Sequence, residues 1–400
     1  MATVLAIISC FFVTPGREYL SYINWRTLIL LFCLMAVVAG FAKAGVFRYI
    51  SRKLSQRMKD TRRLSVGFML LCFLLSMFVT NDVALVTVVP LTLLTMMGCS
   101  EKAKIQTLVQ ETIAANLGSM LTPFGNPQNL YLTSYYGIGM GEFLRLMLPY
   151  TGVALVILLL QTLISPKEGL GGRAREAGTP ERGASEAAIP EGKNREAASL
   201  YESGENLTGK DEMYEEALRE KLLRSKGRLV SILLYGILFI VSMFSVARIL
   251  DYRILFGIIL ITILVYDRSV LCNVNYTLLL TFVSFFVLIG NLGAMTQIQA
   301  ALTQMIEGRE LLTAILSSQI ISNVPAAVLL SGFTDQGKAL IVGTDLGGLG
   351  TLIASMASII TFQLYSLESG AKKGKYLLTF TLWNVIDLVI LGTVAYCMMR

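Results

Sequence analysis

The sequence predicts an all-α integral membrane protein built from two inverted repeats, each with a re-entrant hairpin and an unwound transmembrane helix. Three observations carry that expectation: an apolar composition, apolar runs broken at their middles by polar residues, and ordered matches between the two halves. Of 400 residues, 54% are hydrophobic and 15% charged, whereas soluble domains hold at most about half apolar and about a quarter charged residues. The bilayer is therefore the solvent, and about 20 apolar residues cross its core of about 30 Å. Thr27 to Ala42, Leu229 to Ala247, Thr277 to Leu292 and Leu377 to Met398 approach that length.

Taken in order, residues 2–14 form a short first crossing without the basic flank or small-residue cleavage site of a signal peptide. Residues 26–47 return to a loop holding Arg48, Arg52, Lys53, Arg57, Lys59, Arg62 and Arg63, the charge signature of a cytoplasmic face. Residues 64–97 are apolar but broken by Thr80-Asn81-Asp82, with charges at both ends, which fits a hairpin that enters and leaves on one face. Residues 106–135 cross outward and 143–164 return, completing an N-terminal repeat over 1–165. Residues 166–228 read as a cytoplasmic, largely disordered linker whose last stretch, Lys210 to Arg228, favours a short surface helix. Leu229 to Ala247 is an unmatched connecting helix, so the C-terminal repeat in 229–400 is inverted and its hairpin, about 310–333, enters from outside. The expected total is about ten transmembrane segments plus the connecting helix, with the N-terminus cytoplasmic and the C-terminus outside.

The formal charge of +7 does not point to nucleic acid. Residues 1–165 carry 13 Lys/Arg against 6 Asp/Glu, the linker 12 against 13, and the remainder 9 against 8, so the excess sits in one juxtamembrane loop. The six cysteines show no CxxC spacing and imply neither a disulfide frame nor a zinc site. There is no histidine, so any proton coupling runs through carboxylates. Without histidine, a metal-ligand cluster or a nucleophile–base pair, the pattern does not suggest an enzyme, and no cofactor is implied.

Three pairs of segments repeat across the linker: Asn24 to Gly40 with Asn275 to Gly290, Ser76 to Val88 with Ser318 to Leu330, and Asn116 to Gln128 with Asp345 to Ala357. The second pair aligns Asn81 with Asn323; the third aligns Gly118 with Gly347 and Thr122 with Thr351. Irregular backbone at membrane depth is tolerated only where protein or a wet cavity satisfies it, and broken helices paired across a repeat point to a transport site. The candidate residues for binding solute and ion are therefore Thr80, Asn81, Asp82, Asn116, Gly118, Thr122, Gly125, Asn126, Ser322, Asn323, Asp345, Gly347, Thr351 and Ser355. The glycines are expected to act through backbone freedom, as room for a ligand or as φ > 0 at a break. Asn-Pro and Gly-Asn pairs also mark ordinary turns; their symmetric register is what favours a site. Asp82, Asp345 and Asp387 are ionisable groups within apolar segments and candidates for function, although Asp387, with Asn384 one turn before it, also suits pairing between helices. Lys43 and Arg145 lie near enough to span ends to snorkel.

The runs TNDVALVTVVPLT, NLGSMLTPFGNPQNLYL, SNVPAAVLLSGFT and GTDLGGLGTLIASMAS resemble the ion transporter superfamily, which includes citrate permeases, arsenite permeases, sodium/proton antiporters and divalent-anion:sodium symporters. The resemblance covers nearly everything except the linker. It implies elevator-like movement of a transport domain against a scaffold, often in a homodimer, within the cytoplasmic (inner) membrane. In the divalent-anion symporters each hairpin tip carries Ser-Asn-Thr; here Thr80-Asn81-Asp82 and Ser322-Asn323-Val324 stand instead, closer to the citrate- and arsenite-permease branches. The asparagines carry over, with Na⁺ near Asn81 and Asn323. The resulting expectation is a permease moving a small anion or oxyanion, such as a carboxylate, coupled to Na⁺ or H⁺. A Na⁺/H⁺ antiporter using Asp82 and Asp345, or an arsenite-type efflux permease, is the alternative on the same scaffold.

Overall fold

Helix boundaries follow the residues that cannot continue a helix or that can cap one. A computed structural model describes residues 2–13, 16, 19–55, 58, 60–169 and 208–399. Apart from one isolated bridge between Asp60 and Gly169, the regular structure among these residues is helical. The first half comprises α1 (Ala2–Cys10), α2 (Tyr19–Tyr22), α3 (Trp25–Lys43), α4 (Val46–Ser55), α5 (Thr61–Ser76), α6 (Asn81–Thr95), α7 (Glu101–Ser119), α8 (Pro127–Tyr136) and α9 (Met140–Ile164). The second comprises α10 (Thr208–Val246), α11 (Tyr252–Tyr266), α12 (Tyr276–Ala294), α13 (Thr296–Ile306), α14 (Glu310–Ile321), α15 (Asn323–Ser331), α16 (Gly337–Leu346), α17 (Met356–Ser366) and α18 (Lys373–Met399).

Among the described residues, five helical segments are long and apolar enough to cross a membrane: Trp25–Lys43, Met140–Ile164, Gly227–Val246, Tyr276–Ala294 and Lys373–Met399. Their outer faces are apolar, with Leu160, Ile237, Leu280 and Val389 each more than half exposed, as suits a surface solvated by lipid. Three expectations need correction. The first apolar run is helical only over the nine residues of α1, about 14 Å of rise, too short to cross alone. The basic loop after α3 holds a separate amphipathic helix, α4, with Phe47 and Ser51 buried and Tyr49 and Ile50 exposed. The surface helix expected before the connecting span is continuous with it in the 39 residues of α10. The remainder of the linker, residues 170–207, lies outside the described residues.

Each broken segment is broken where the sequence is weakest as helix. Helix α5 stops at Ser76 and α6 starts at Asn81, so the pair folds as a hairpin with Asn81 at its tip. Helices α14 and α15 form a second hairpin around Ser322. Helix α7 ends at Ser119, and Pro127, whose missing N–H costs nothing at a first helical position, restarts the chain as α8. Helix α16 ends at Leu346, and the Gly-rich stretch with a 3₁₀ turn at Leu352–Ala354 leads to α17.

The 25 residues of α9 rise about 37 Å and mark the two ends of the bundle. Hairpin α5–α6 is rooted at its C-terminal end, where Thr61 Oγ1 donates to Pro166 O (2.8 Å) and Arg62 Nε to Ser165 O (3.0 Å). Hairpin α14–α15 leads out towards the other end, where Lys338 pairs with Glu142 at 2.7 Å. The helices sort into two bodies: α1, α3, α10, α11 and α12 pack on one another, as do α5 to α9 with α14 to α18. The bodies meet mainly where α12 touches α15, α3 touches α8, and α4 reaches α5 and α6.

Candidate functional site

Four helices begin around one cavity of about 360 Å³ between the two bodies. Asn81 and Asp82 open α6, Pro127 and Gln128 open α8, Asn323 to Pro325 open α15, and Met356 opens α17. Their N-cap residues are Thr80, Asn126, Ser322 and Ser355, none of which caps through its side chain. A helix N-terminus carries about half a positive charge, so these four positive dipole ends face the cavity. The far wall is polar too, with Asn275, Thr277 and Thr281 at the start of α12.

The two hairpin tips share one device. Asn81 Oδ1 accepts the N–H of Asp82 (2.9 Å), and Asn323 Oδ1 accepts that of Val324 (2.9 Å). Ser322 has φ 74° and ψ 154°, a region essentially reserved for glycine, and strain of this kind costs about 1–3 kcal/mol. A second cavity of about 500 Å³ shares Asp82, Pro127, Asn275, Leu278 and Met356 with the first and continues past Thr80 and Thr87 to Lys43. Lys43 does not merely snorkel: it holds Asp267 at 2.5 Å, and its ammonium lowers the Asp267 carboxyl below its ordinary value.

Behind the tips, Asn116 joins the halves. Asn81 Nδ2 donates to Asn116 Oδ1 (3.0 Å), Ser355 Oγ donates to the same oxygen (2.9 Å), and Asn116 Nδ2 donates to Ser358 Oγ (3.4 Å). Asp345 is buried one layer further back, its Oδ1 accepting from Asn126 Nδ2 (3.3 Å) and Gln128 Nε2 (3.2 Å). Asp345 Oδ2, Asn126 Oδ1, Gln128 Oε1 and both amide atoms of Asn129 are buried without a hydrogen-bond partner. The carboxylate is therefore faced by amide N–H donors, while its second oxygen stays unpaired.

The structure thus brings Asn81, Asp82, Asn126, Ser322, Asn323 and Ser355 onto one cavity and Thr80 onto its neighbour, with Asn116 and Asp345 directly behind. Thr122 and Thr351 stand elsewhere: Thr122 Oγ1 donates to Met77 O (2.5 Å), and Thr351 Oγ1 to Gln319 O (3.1 Å). Gly118, Gly125 and Gly347 are also absent from the cavity wall, and the expected backbone freedom is not their role. A methyl on Gly118 would collide with the Phe73 carbonyl and lie 2.6 Å from Ser76 Oγ; one on Gly347 would lie 2.5 Å from Ser318 Oγ. They are close-packing glycines, and among the glycines of the second break only Gly350 has positive φ, at 102°. Sequence reasoning passed over Gln128, although it ends the NPQ run, and over Asn275, Thr277 and Thr281, seen only as a repeat match. It also passed over Gln319, whose Nε2 donates to Gly347 O (2.9 Å) and Leu349 O (2.8 Å), satisfying the unwound backbone. Asp387 pairs between helices, accepting from Gln161 Nε2 at 2.5 Å. Among the described residues, no group of three or more acidic or cysteine side chains is placed to hold a metal ion.

Comparison with known proteins gives the chain its relatives. It is 30% identical over 385 residues to an uncharacterised transporter of Methanocaldococcus jannaschii, covering 95% of this chain and 91% of the relative. It is 30% identical over 351 residues to the inner membrane protein YbiR of Escherichia coli, covering 87% and 82%. A 46 kDa membrane protein of Mycobacterium leprae is 24% identical over 367 residues, covering 86% and 79%. The relatives named by activity are transporters, not enzymes. With the sequence profile of the citrate transporter family matching residues 1–336, the chain belongs to that family, a family of membrane transporters.

Proposed function

We propose that the chain is a secondary active transporter of the cytoplasmic membrane that moves a small anion or oxyanion, such as a carboxylate, coupled to Na⁺ or H⁺. The observation that carries this reading is the convergence of four helix N-termini, none capped by the side chain of its N-cap residue, on one polar cavity, since aligned peptide dipoles favour an anion. Among the described residues, Asp82 is the lone carboxylate on the cavity wall. Its charge opposes an anionic solute, so a cation or proton must accompany the solute for both to be held, which is coupling in electrostatic form. The buried Asp345 carboxylate, whose Oδ2 is left unpaired, offers a place for that cation. Two bodies meeting along a few helix contacts, with the cavity between them, suit an elevator-type exchange of access. Opposed hairpins and the matched Asn81 and Asn323 support the inverted-repeat reading, and the inner-membrane relative supports the location.

The alternative, Na⁺/H⁺ exchange, draws on the same two carboxylates, Asp82 and Asp345. Purified protein in liposomes distinguishes them, assayed for uptake of labelled di- and tricarboxylates and oxyanions with imposed Na⁺ or pH gradients. The expected result is saturable anion uptake that stops when the driving cation gradient is collapsed. Saturable pH-driven Na⁺ movement without any added anion would overturn the proposal in favour of exchange.

A further inference from the structure

A groove of about 890 Å³ lies away from the transport cavity, between amphipathic α4 and the outer face of α5. Its length is apolar, lined by Ile50, Leu54, Val66, Leu70, Leu74 and Leu163, and Leu74 and Leu163 are more than half exposed. Lys53, Arg62 and Arg63 also line it, and among the described residues no carboxylate does. Among the described residues, the acidic group that faces these cations is Asp60, 3.5 Å from Arg63 Nε, and it also caps α5 by accepting the N–H of Arg63 (2.9 Å). Arg62 is partly committed, donating from Nε to Ser165 O, whereas Lys53 is exposed and the Arg63 side chain is 66% exposed. The Tyr49 ring carries Lys53 on one contact and Arg228 on another, each 5.9 Å from its centroid, which gathers further positive charge beside the groove.

We propose that this groove is a binding site for one anionic phospholipid, its acyl chains along α5 and its phosphate held by Lys53 and Arg63. The charge pattern selects this occupant. A long apolar trough facing the bilayer excludes a soluble anion, and clustered cations with no lining carboxylate among the described residues favour phosphatidylglycerol or a similar headgroup over a zwitterionic one. The basic end lies on the face that the charge bias assigns to the cytoplasm. A lipid there would staple α4 to α5, the arm that carries the Asn81 tip, so its binding would stabilise the hairpin from outside.

The test uses full-length protein in detergent, titrated with phosphatidylglycerol or with phosphatidylcholine of the same chains, and follows melting temperature. Native mass spectrometry counts bound lipid on the folded fraction. The expected result is a saturable rise in melting temperature with phosphatidylglycerol, small with phosphatidylcholine. In the double variant Lys53→Gln/Arg63→Gln the half-saturating phosphatidylglycerol concentration should increase about tenfold or more, as the loss of two interfacial charges implies. Equal increments from both lipids, an unchanged titration in the double variant, or reproduction of the increment by inorganic phosphate alone would each overturn the proposal. Mass spectra of the double variant showing wild-type phosphatidylglycerol occupancy would do the same even if that variant melts early.

Discussion

Asn116→Ala is the substitution with the most direct reading, because one side-chain oxygen serves two buried donors from opposite halves of the chain. Asn81 is 6% and Ser355 1% exposed, and both donate to Asn116 Oδ1. Alanine leaves both donors without an acceptor, and each unsatisfied buried group costs about 1–3 kcal/mol, so the substitution should destabilise by about 2–6 kcal/mol. The third bond, from Asn116 Nδ2 to Ser358 Oγ at 3.4 Å, is long for an N–H···O bond and adds little. A double-mutant cycle tests the cause. In Asn116→Ala/Ser355→Ala the orphaned hydroxyl is gone, so the pair should cost about 1–3 kcal/mol less than the sum of the single substitutions. Denaturation in mild detergent measures the three variants, and solute-dependent melting reports whether the tip still forms its site. Additive costs, or an Asn116→Ala protein with wild-type melting temperature, would refute the claim that this asparagine joins the two halves.

Other outcomes follow from the same geometry. Ser322→Gly should raise the melting temperature, because glycine adopts φ 74° and ψ 154° without the strain that serine carries, whereas Ser322→Ala should not; equal shifts in the two variants would contradict this. Asp345→Asn should remove Na⁺-dependent stabilisation while the protein still folds, since an amide oxygen can still accept from Asn126 and Gln128; an unchanged Na⁺ increment in thermal melts would place the cation elsewhere. Gly347→Ala should cost about 1–3 kcal/mol by overpacking against Ser318 Oγ and Cβ, and Ser318→Gly, which removes both atoms, should restore part of the loss; no rescue would mean that the contact is not the cause.

Much of this arrangement was legible because helix breakers and buried polar groups are expensive in lipid and stand out against apolar runs. Thr80-Asn81-Asp82, the NPQ run and the second Gly-rich break each coincide with a helix boundary. The short helix α1 was not legible, since a nine-residue helix and a short crossing share the same apolar signal. Nor was the role of the glycines. A glycine that lines a cavity and one that lets a carbonyl approach look alike in sequence, and only the position of Phe73 and Ser76 beside Gly118 separates them. The opposite error affected Gln319 and Gln128, whose amides lie in otherwise ordinary segments and gain meaning only from the unwound backbone and the carboxylate that the fold brings to them.

The glycines removed from the cavity wall become informative about the repeat instead. In the sequence alignment Gly118 matches Gly347, and Ser76 matches Ser318. In three dimensions Gly118 packs on Ser76 and Gly347 on Ser318. A serine on the first arm of each hairpin therefore meets a glycine at the break of each unwound helix, in both halves and at aligned positions. The tips repeat the agreement, with Asn81 and Asn323 each using Oδ1 to hold the next N–H. A matched contact with both partners in register supports the proposed inverted repeat. Close packing of this kind also couples each hairpin to its unwound helix, because neither glycine leaves space for independent sliding. Under the proposed elevator-type exchange, tip and break should then move as one body relative to the α12 wall, with the cavity between.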